Sequence, residues 1–168
     1  MARAFIGLGS NLDHPRRQLA RAARALDRLP ATHVVALSRN YRTAPRDSDV
    51  AQPDFVNAVA ELETALKPRA LLNALHAIER RQRRVRVDGA PRNRPRTLDL
   101  DLLTYARVRL ATPALAVPHP RITERAFVLV PLAEIAPGAA VPGRGLARRF
   151  LRATRGQRVA PTRAHVLR

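Results

Sequence analysis

Asp99 and Asp101 alternate with leucines in the stretch Thr97-Leu98-Asp99-Leu100-Asp101-Leu102. In an extended chain, residues two apart face the same way. Such a strand sends Leu98, Leu100 and Leu102 into a core and sets the two carboxylates side by side on its other face. Neighbouring carboxylates repel unless a cation lies between them, and aspartate is depleted in strands, so the doublet calls for a reason. Magnesium supplies one, because it takes a few carboxylates and completes its shell with phosphate oxygens and water. A half-exposed strand with solvated aspartates is the plain alternative. Just upstream stand Arg84, Arg86, Arg92, Arg94 and Arg96, in a segment punctuated by Gly89, Pro91 and Pro95. Guanidinium groups grip phosphates through forked hydrogen bonds. A divalent-ion site beside such a loop describes a triphosphate cradle; a solvated basic loop is the other reading.

Two more segments carry chemistry. In Val117-Pro118-His119-Pro120-Arg121, prolines stiffen the chain around His119, so His119 and the nearby Arg125 are candidate phosphate contacts. A hydrogen-bonded structural histidine is the competing reading. Phe55 shares a strand face with Asn57, opposite the apolar positions Val56, Ala58, Ala60 and Leu62. An aromatic ring beside an amide suits a flat heterocycle, which the ring stacks on and the amide reads by hydrogen bonding.

The elements that must position these residues follow from hydrophobic periodicity. Residues 4–8 alternate as a strand and end in the turn cluster Gly9-Ser10-Asn11. Asp13 or His14 caps a helix that opens at Pro15 and buries Leu19, Ala22, Ala23 and Leu26. Residues 34–43 read as one strand, 44–54 as a loop and 55–62 as a third strand. Pro68 opens a second helix with Leu71, Leu72, Leu75 and Ile78 inward. Residues 80–96 read as a fraying helix end and then a mobile loop, and 97–105 as a fourth strand, paired with a short one around 107–110. Pro131 divides 126–135 into a short helix and a turn, and 146–154 forms a last helix. The expected fold class is α+β: a ferredoxin-like split βαβ core, an antiparallel sheet with helices on one face, plus further C-terminal helices. Residues 1–155 form one catalytic domain in this reading, and 156–168 a loosely ordered basic tail.

Composition bounds the rest. A chain of 168 residues with 46% hydrophobic content suits one core. There is no cysteine, which excludes disulfides and thiolate metal sites and suits a reducing cytosol. No apolar run reaches the ~18 residues of a membrane span, and the start lacks the layout of a signal peptide. The formal net charge of +18 attracts polyanions. With Lys67 the only lysine, though, the arginine surplus reads as much as composition bias as recognition.

In order along the chain stand Gly9-Ser10-Asn11-Leu12, Tyr41-Arg42-Thr43, Gln52-Pro53-Asp54-Phe55-Val56-Asn57, Pro95-Arg96-Thr97-Leu98-Asp99-Leu100-Asp101, Val117-Pro118-His119-Pro120-Arg121, Arg125-Ala126-Phe127 and Pro131-Leu132. This pattern resembles the 6-hydroxymethyl-7,8-dihydropterin pyrophosphokinase family of folate synthesis, from about residue 4 to residue 137. The resemblance implies a cytoplasmic monomer that uses two magnesium ions and ATP, and that moves pyrophosphate to the pterin's hydroxymethyl group. It implies Asp99 and Asp101 as metal ligands, and Thr43, Pro45, Phe55, Asn57 and Phe127 around the pterin, with the two rings enclosing it. It implies His76, Glu79, Arg84, Arg86, Arg92, Arg96, Leu102, His119 and Arg125 around ATP. Arg84, Arg96, Asp99 and Asp101 make up the catalytic set, and any protein base is left open between Asp101 and a metal-bound hydroxide. The chain departs from the pattern at Ala44, His76, Arg83 and Asn93. Two other readings stand at this point: a weakened paralogue that binds pterin or nucleotide, and a basic ferredoxin-like RNA-binding module. The RNA reading expects aromatics on the sheet, and aromatics are 4% of the chain. No specific nucleic-acid or membrane partner is expected.

Overall fold

The computed structural model describes residues 1–45, 51–82 and 95–165. The chain begins with strand β1 (Ala2–Ser10), which runs two residues further at each end than the alternation of 4–8 predicts, so Gly9 is a strand residue and not a turn. Helix α1 (Pro15–Asp27) opens at its proline and buries Gln18, Leu19, Ala22, Ala23 and Leu26 along one stripe. His14 precedes it in a left-handed conformation, but its side chain makes no capping bond.

The expected single strand over 34–43 is two strands, β2 (Thr32–Leu37) and β3 (Arg39–Thr43). Ser38 separates them: its N–H donates to the Val59 carbonyl, and its hydroxyl accepts from the Val59 N–H at 3.0 Å. A fully buried serine that bonds the neighbouring strand through its side chain interrupts the regular ladder there. Strand β4 (Phe55–Thr64) follows, then helix α2 (Pro68–Arg81), again with proline at its start, and strand β5 (Asp99–Tyr105).

These strands form one antiparallel sheet in the order β5-β1-β4-β3, and β2 pairs with the far half of β4. One face carries Ile6, Leu8, Ala58, Ala60, Leu62, Leu98, Leu100 and Leu102, packed under Leu19, Leu26, Leu71, Leu75 and Ile78 of α1 and α2. The other face is also covered, contrary to the expectation of helices on one side only. Phe5, Val59 and Leu103 pack there against Ile122, Val128, Leu129, Leu132 and Ala147. These come from a short 3₁₀ turn (Ile122–Glu124), helix α3 (Ala126–Ile135) and a 3₁₀ stretch (Ala147–Thr154). Pro131 does not divide α3, because burying Val128, Leu129 and Leu132 outweighs one missing backbone bond.

Other expectations are corrected. The residues after β5 do not pair with it; β6 (Leu110–Thr112) and β7 (Leu115–Val117) pair with each other. The segment 147–154 winds as a 3₁₀ helix, and a small ribbon, β8 (Ala140–Val141) with β9 (Gly145–Leu146), precedes it. The tail expected to be loose contains strand β10 (Val159–His165), which extends the sheet by pairing with β3, Val159 opposite Thr43. An arginine-rich, proline-bearing stretch carries little strand signal alone; the free edge of β3 supplies its partners. Among the described residues, no helix is long and apolar enough to cross a membrane.

Candidate active site

The second face of the sheet changes character along its length. Where Phe5, Val59 and Leu103 end, a polar row crosses the strands in register: Asp99 on β5, Gly9 on β1, Asn57 on β4. The adjoining row is Asp101, Gly7 and Val59. The glycines leave an open floor between the carboxylates and the amide. A Cβ on Gly9 would stand 2.9 Å from Asn57 Oδ1, and one on Gly7 would stand 3.4 Å from Leu103 Cδ2. Asn57 is itself oriented, its Nδ2 donating to Thr43 Oγ1 at 2.6 Å.

Above this floor lies an open cavity of about 620 Å³, walled by Phe55 and Phe127 and lined by Thr43, Asn57, Asp99 and Asp101. Three arginines also line it, Arg96, Arg121 and Arg125. Arg96 pairs with Asp99, and its guanidinium carbon lies 5.6 Å from the Phe55 ring centre. Arg125 donates to Asp101 Oδ2 at 3.3 Å and lies 5.5 Å from the Phe127 ring centre. The cavity therefore holds two sets of carboxylate, guanidinium and ring.

Asn11 ties the segments that carry these groups. Its side-chain amide donates to Gln52 Oε1 at 2.9 Å and to the Pro53 carbonyl at 3.0 Å, just before Phe55. Its Oδ1 accepts from the Arg96 N–H at 2.9 Å, and its own N–H donates to the Arg96 carbonyl. His119 is held by its N–H on the Leu103 carbonyl at 2.7 Å. Its Nδ1 accepts from the Arg121 N–H at 3.1 Å, and its Nε2 faces Arg125 Nη1 at 3.5 Å.

Electrostatics mark the carboxylates as the strained element. Burial, and then the charge on Asp99, push Asp101 up to about 7, against the opposing pull of Arg125 and Arg96. Burial, and then the charge of Arg125, bring His119 down to about 4, so it is neutral at ordinary pH. Among the described residues there is no group of three or more acidic or histidine side chains placed to cage a metal. Two carboxylates with open cavity in front of them fit magnesium, which completes its coordination with phosphate and water, better than a cation that needs a full protein cage.

A profile of 7,8-dihydro-6-hydroxymethylpterin-pyrophosphokinase (HPPK) matches residues 5–137. The chain belongs to this family. Named 2-amino-4-hydroxy-6-hydroxymethyldihydropteridine pyrophosphokinases are similar to it. The one from Pseudomonas aeruginosa is 49% identical over 140 residues, covering 83% of this chain and 84% of the relative. The one from Haemophilus influenzae is 44% identical over 142 residues, covering 84% and 86%. The fold matches Plasmodium falciparum HPPK-DHPS crystallised with pteroate, at a TM-score of 0.70 and 13% identity. That match covers 90% of this chain and 42% of the longer Plasmodium chain.

Of the family residues expected at the site, Thr43, Phe55, Asn57, Arg96, Asp99, Asp101, Arg125 and Phe127 all line the one cavity. At the neighbouring loop Ala44, not Pro45, lines it. His119 joins through its contact with Arg125. Three expected ATP residues lie off this cavity. His76 is half-buried on α2, Leu102 points into the first core, and buried Glu79 accepts from the Leu100 N–H at 2.9 Å on β5. Arg84, Arg86 and Arg92, with the departures Arg83 and Asn93, lie outside the described residues, as does part of the 44–54 loop. Gly9 and Arg121 also line the cavity and Asn11 ties its walls, roles that their places in the sequence motifs do not declare. The period-two spacing of Gly7 and Gly9 was the available signal for a bare strand face.

A carboxyl whose pKa is raised on folding binds its proton more tightly in the folded chain. Charging Asp101 therefore costs stability as pH rises from its ordinary 3.8 through about 7. About a third of the side chain still meets water (32%), so the cost is about 1–2 kcal/mol after screening. Asp101→Asn should raise the thermal midpoint of the ligand-free protein at pH 8, and the gain should vanish near pH 4. Melting curves of both proteins across that range check it.

Proposed function

We propose that this protein transfers the β,γ-diphosphate of ATP to the hydroxyl of 6-hydroxymethyl-7,8-dihydropterin, releasing AMP, in folate biosynthesis. The observation that carries this reading is one cavity that joins two aromatic rings, an oriented amide and a carboxylate pair, in a chain of that family. The pterin would lie between Phe55 and Phe127. Asn57, fixed by Thr43, would read the edge of the ring system. The hydroxymethyl arm then reaches toward Asp99 and Asp101. ATP would approach from the free edge of β5, with its adenosine toward His76 and Glu79 on α2 and the main chain of Leu102.

In the reaction, the substrate oxygen bonds to the β-phosphorus and the bridging bond to the α-phosphate breaks. The electron pair leaves on AMP, and the hydroxyl proton is released. Asp99 and Asp101 would hold two magnesium ions, whose chemistry is to neutralise phosphate charge and to acidify the hydroxyl. The side chains contribute positioning and charge, the main needs of phosphoryl-type transfer. Arg96 and Arg125, now paired with the carboxylates, would turn to the phosphates, joined by Arg84, Arg86 and Arg92. Neutral His119 would donate from Nε2 to a phosphate oxygen, a contact that needs no charge in this buried place.

The same reading extends to the whole molecule. A ferredoxin-like core is supported by the strand order β5-β1-β4-β3 with α1 and α2 on one face. A single catalytic domain is supported by the two cores that share one sheet. We infer that the chain works as a cytoplasmic monomer. The RNA-binding alternative draws no support from a sheet face that presents acids where bases would stack.

Three measurements test the proposal. ATP incubated with magnesium and the pterin should give AMP and the diphosphorylated pterin by chromatography; ADP as product would overturn it. Asp99→Ala and Asp101→Ala should each cut turnover by about a hundredfold or more with circular dichroism unchanged; near-normal rates would remove the carboxylates from the mechanism. Gly9→Ala should weaken pterin binding about tenfold in calorimetry, because its methyl would displace Asn57 Oδ1 from 2.9 Å and loosen it from Thr43.

A further inference from the structure

Helix α3 brings two site residues to the cavity at its start, Arg125 and Phe127, yet its own first turn is capped unusually. Arg125 occupies the N-cap position with extended backbone (φ −112°, ψ 102°) and makes no side-chain capping bond. Serine, threonine, aspartate or asparagine normally stands there, its oxygen bonding an unpaired N–H of the first turn. Here the position is given to a guanidinium that extends to Asp101.

The missing cap comes from far along the chain. Gln157 Oε1 accepts from the Ala126 N–H at 2.8 Å. Gln157 Nε2 donates to the Glu124 carbonyl at 2.8 Å. One side-chain amide thus grips the main chain on both sides of Arg125, as a paired strand would. The residues after it reach the opposite wall. Arg158 donates to both carboxylate oxygens of Asp54 at 3.0 Å, next to Phe55. Val159 then pairs with Thr43 in β10. The ion pair is exposed, with 67% of the Arg158 side chain in water, and so contributes little energy by itself. The paired amide bonds and the strand carry the link.

We propose that Gln157 is a positioning residue: it caps α3 from the C-terminal segment so that Arg125 can serve the cavity, and it sets Phe127 against the Phe55–Thr43 wall. Gln157 lies beyond residue 137, where the family profile ends. The consequence for substrate rests on the pterin reading above; the capping role does not. Without the amide, segment 124–127 loses this side-chain tether to the C-terminal segment, and ligand must order it on binding.

The test compares the full-length wild type with Gln157→Met, which keeps size but loses both bonds, and Gln157→Glu, which keeps the acceptor for Ala126. Binding of 6-hydroxymethyl-7,8-dihydropterin is followed by calorimetry with α,β-methylene-ATP present, and steady-state rates by AMP release. Gln157→Met should raise the pterin Kd and KM about five- to tenfold, the span of a lost cap. The rate kcat should fall less, the melting temperature should stay within about 3 °C, and Gln157→Glu, which keeps one of the two bonds, should restore part of the affinity. Wild-type pterin affinity in Gln157→Met, or losses in proportion to the unfolded fraction alone, would overturn the proposal. Amide exchange at Ala126 gives an answer even if the wild type proves not to bind pterin. Protection should hold in wild type and Gln157→Glu and be lost in Gln157→Met, and equal exchange in all three would overturn the cap.

Discussion

Two carboxylates two residues apart on a strand cannot both carry charge cheaply when water is partly excluded from them, and the rest of the site is built around that repulsion. Asp99 and Asp101 sit where the second face of the sheet turns from apolar to polar, at the mouth of a cavity. Desolvation and mutual repulsion raise Asp101, and each acid is met by a guanidinium, Arg96 for Asp99 and Arg125 for Asp101. The local charge is balanced without filling the space in front of the acids. Under the proposed function, those same guanidiniums are the groups a triphosphate needs once divalent cations take over the carboxylates. This arrangement is then a store of charge held ready at the reacting end of the cavity.

Holding such groups requires a stiff frame, and the sheet provides it by being covered twice. Aliphatic side chains under α1 and α2 anchor β5 from one side; Phe5, Val59 and Leu103 under α3 anchor it from the other. β5 is at the edge of the sheet, and Glu79 occupies the outward Leu100 N–H, so the strand that carries the acids has one side-chain anchor on its outer margin. The glycines of β1 have the opposite task. By contributing no side chain at two successive positions on the polar face, they keep the floor between Asp99 and Asn57 open.

The walls, by contrast, are held by single polar side chains that bridge distant segments. Asn11 bonds both the approach to Phe55 and the main chain of Arg96, and Gln157 spans the entry to α3. Main-chain groups outside helices and strands still need partners when water is excluded, and an amide side chain can supply a donor and an acceptor at once. Both bridges let loop residues stand at fixed positions without adding bulk to the cavity. They also account for why an arginine can stand where a helix would otherwise call for a capping residue.

Much of this was legible in the residues alone, for a local reason. Side-chain direction in a strand follows from parity, so Leu98-Asp99-Leu100-Asp101-Leu102 declared its inward and outward faces, and Phe55 with Asn57 did the same on β4. Helices α1 and α2 were equally plain, since Pro15 and Pro68 mark their starts and the buried stripe recurs at helical spacing. What parity and periodicity cannot convey is which distant segment meets which. Ser38 broke an apparently continuous strand because of Val59 on its neighbour. Pro131 stayed within α3 because burial of the helix against the sheet outweighed one bond. Residues 159–165 became a strand only because β3 offered a free edge, and Gln157 became a cap only because that strand carried it to α3. Energies of this second kind come from long-range contacts, and only the folded chain brings them together.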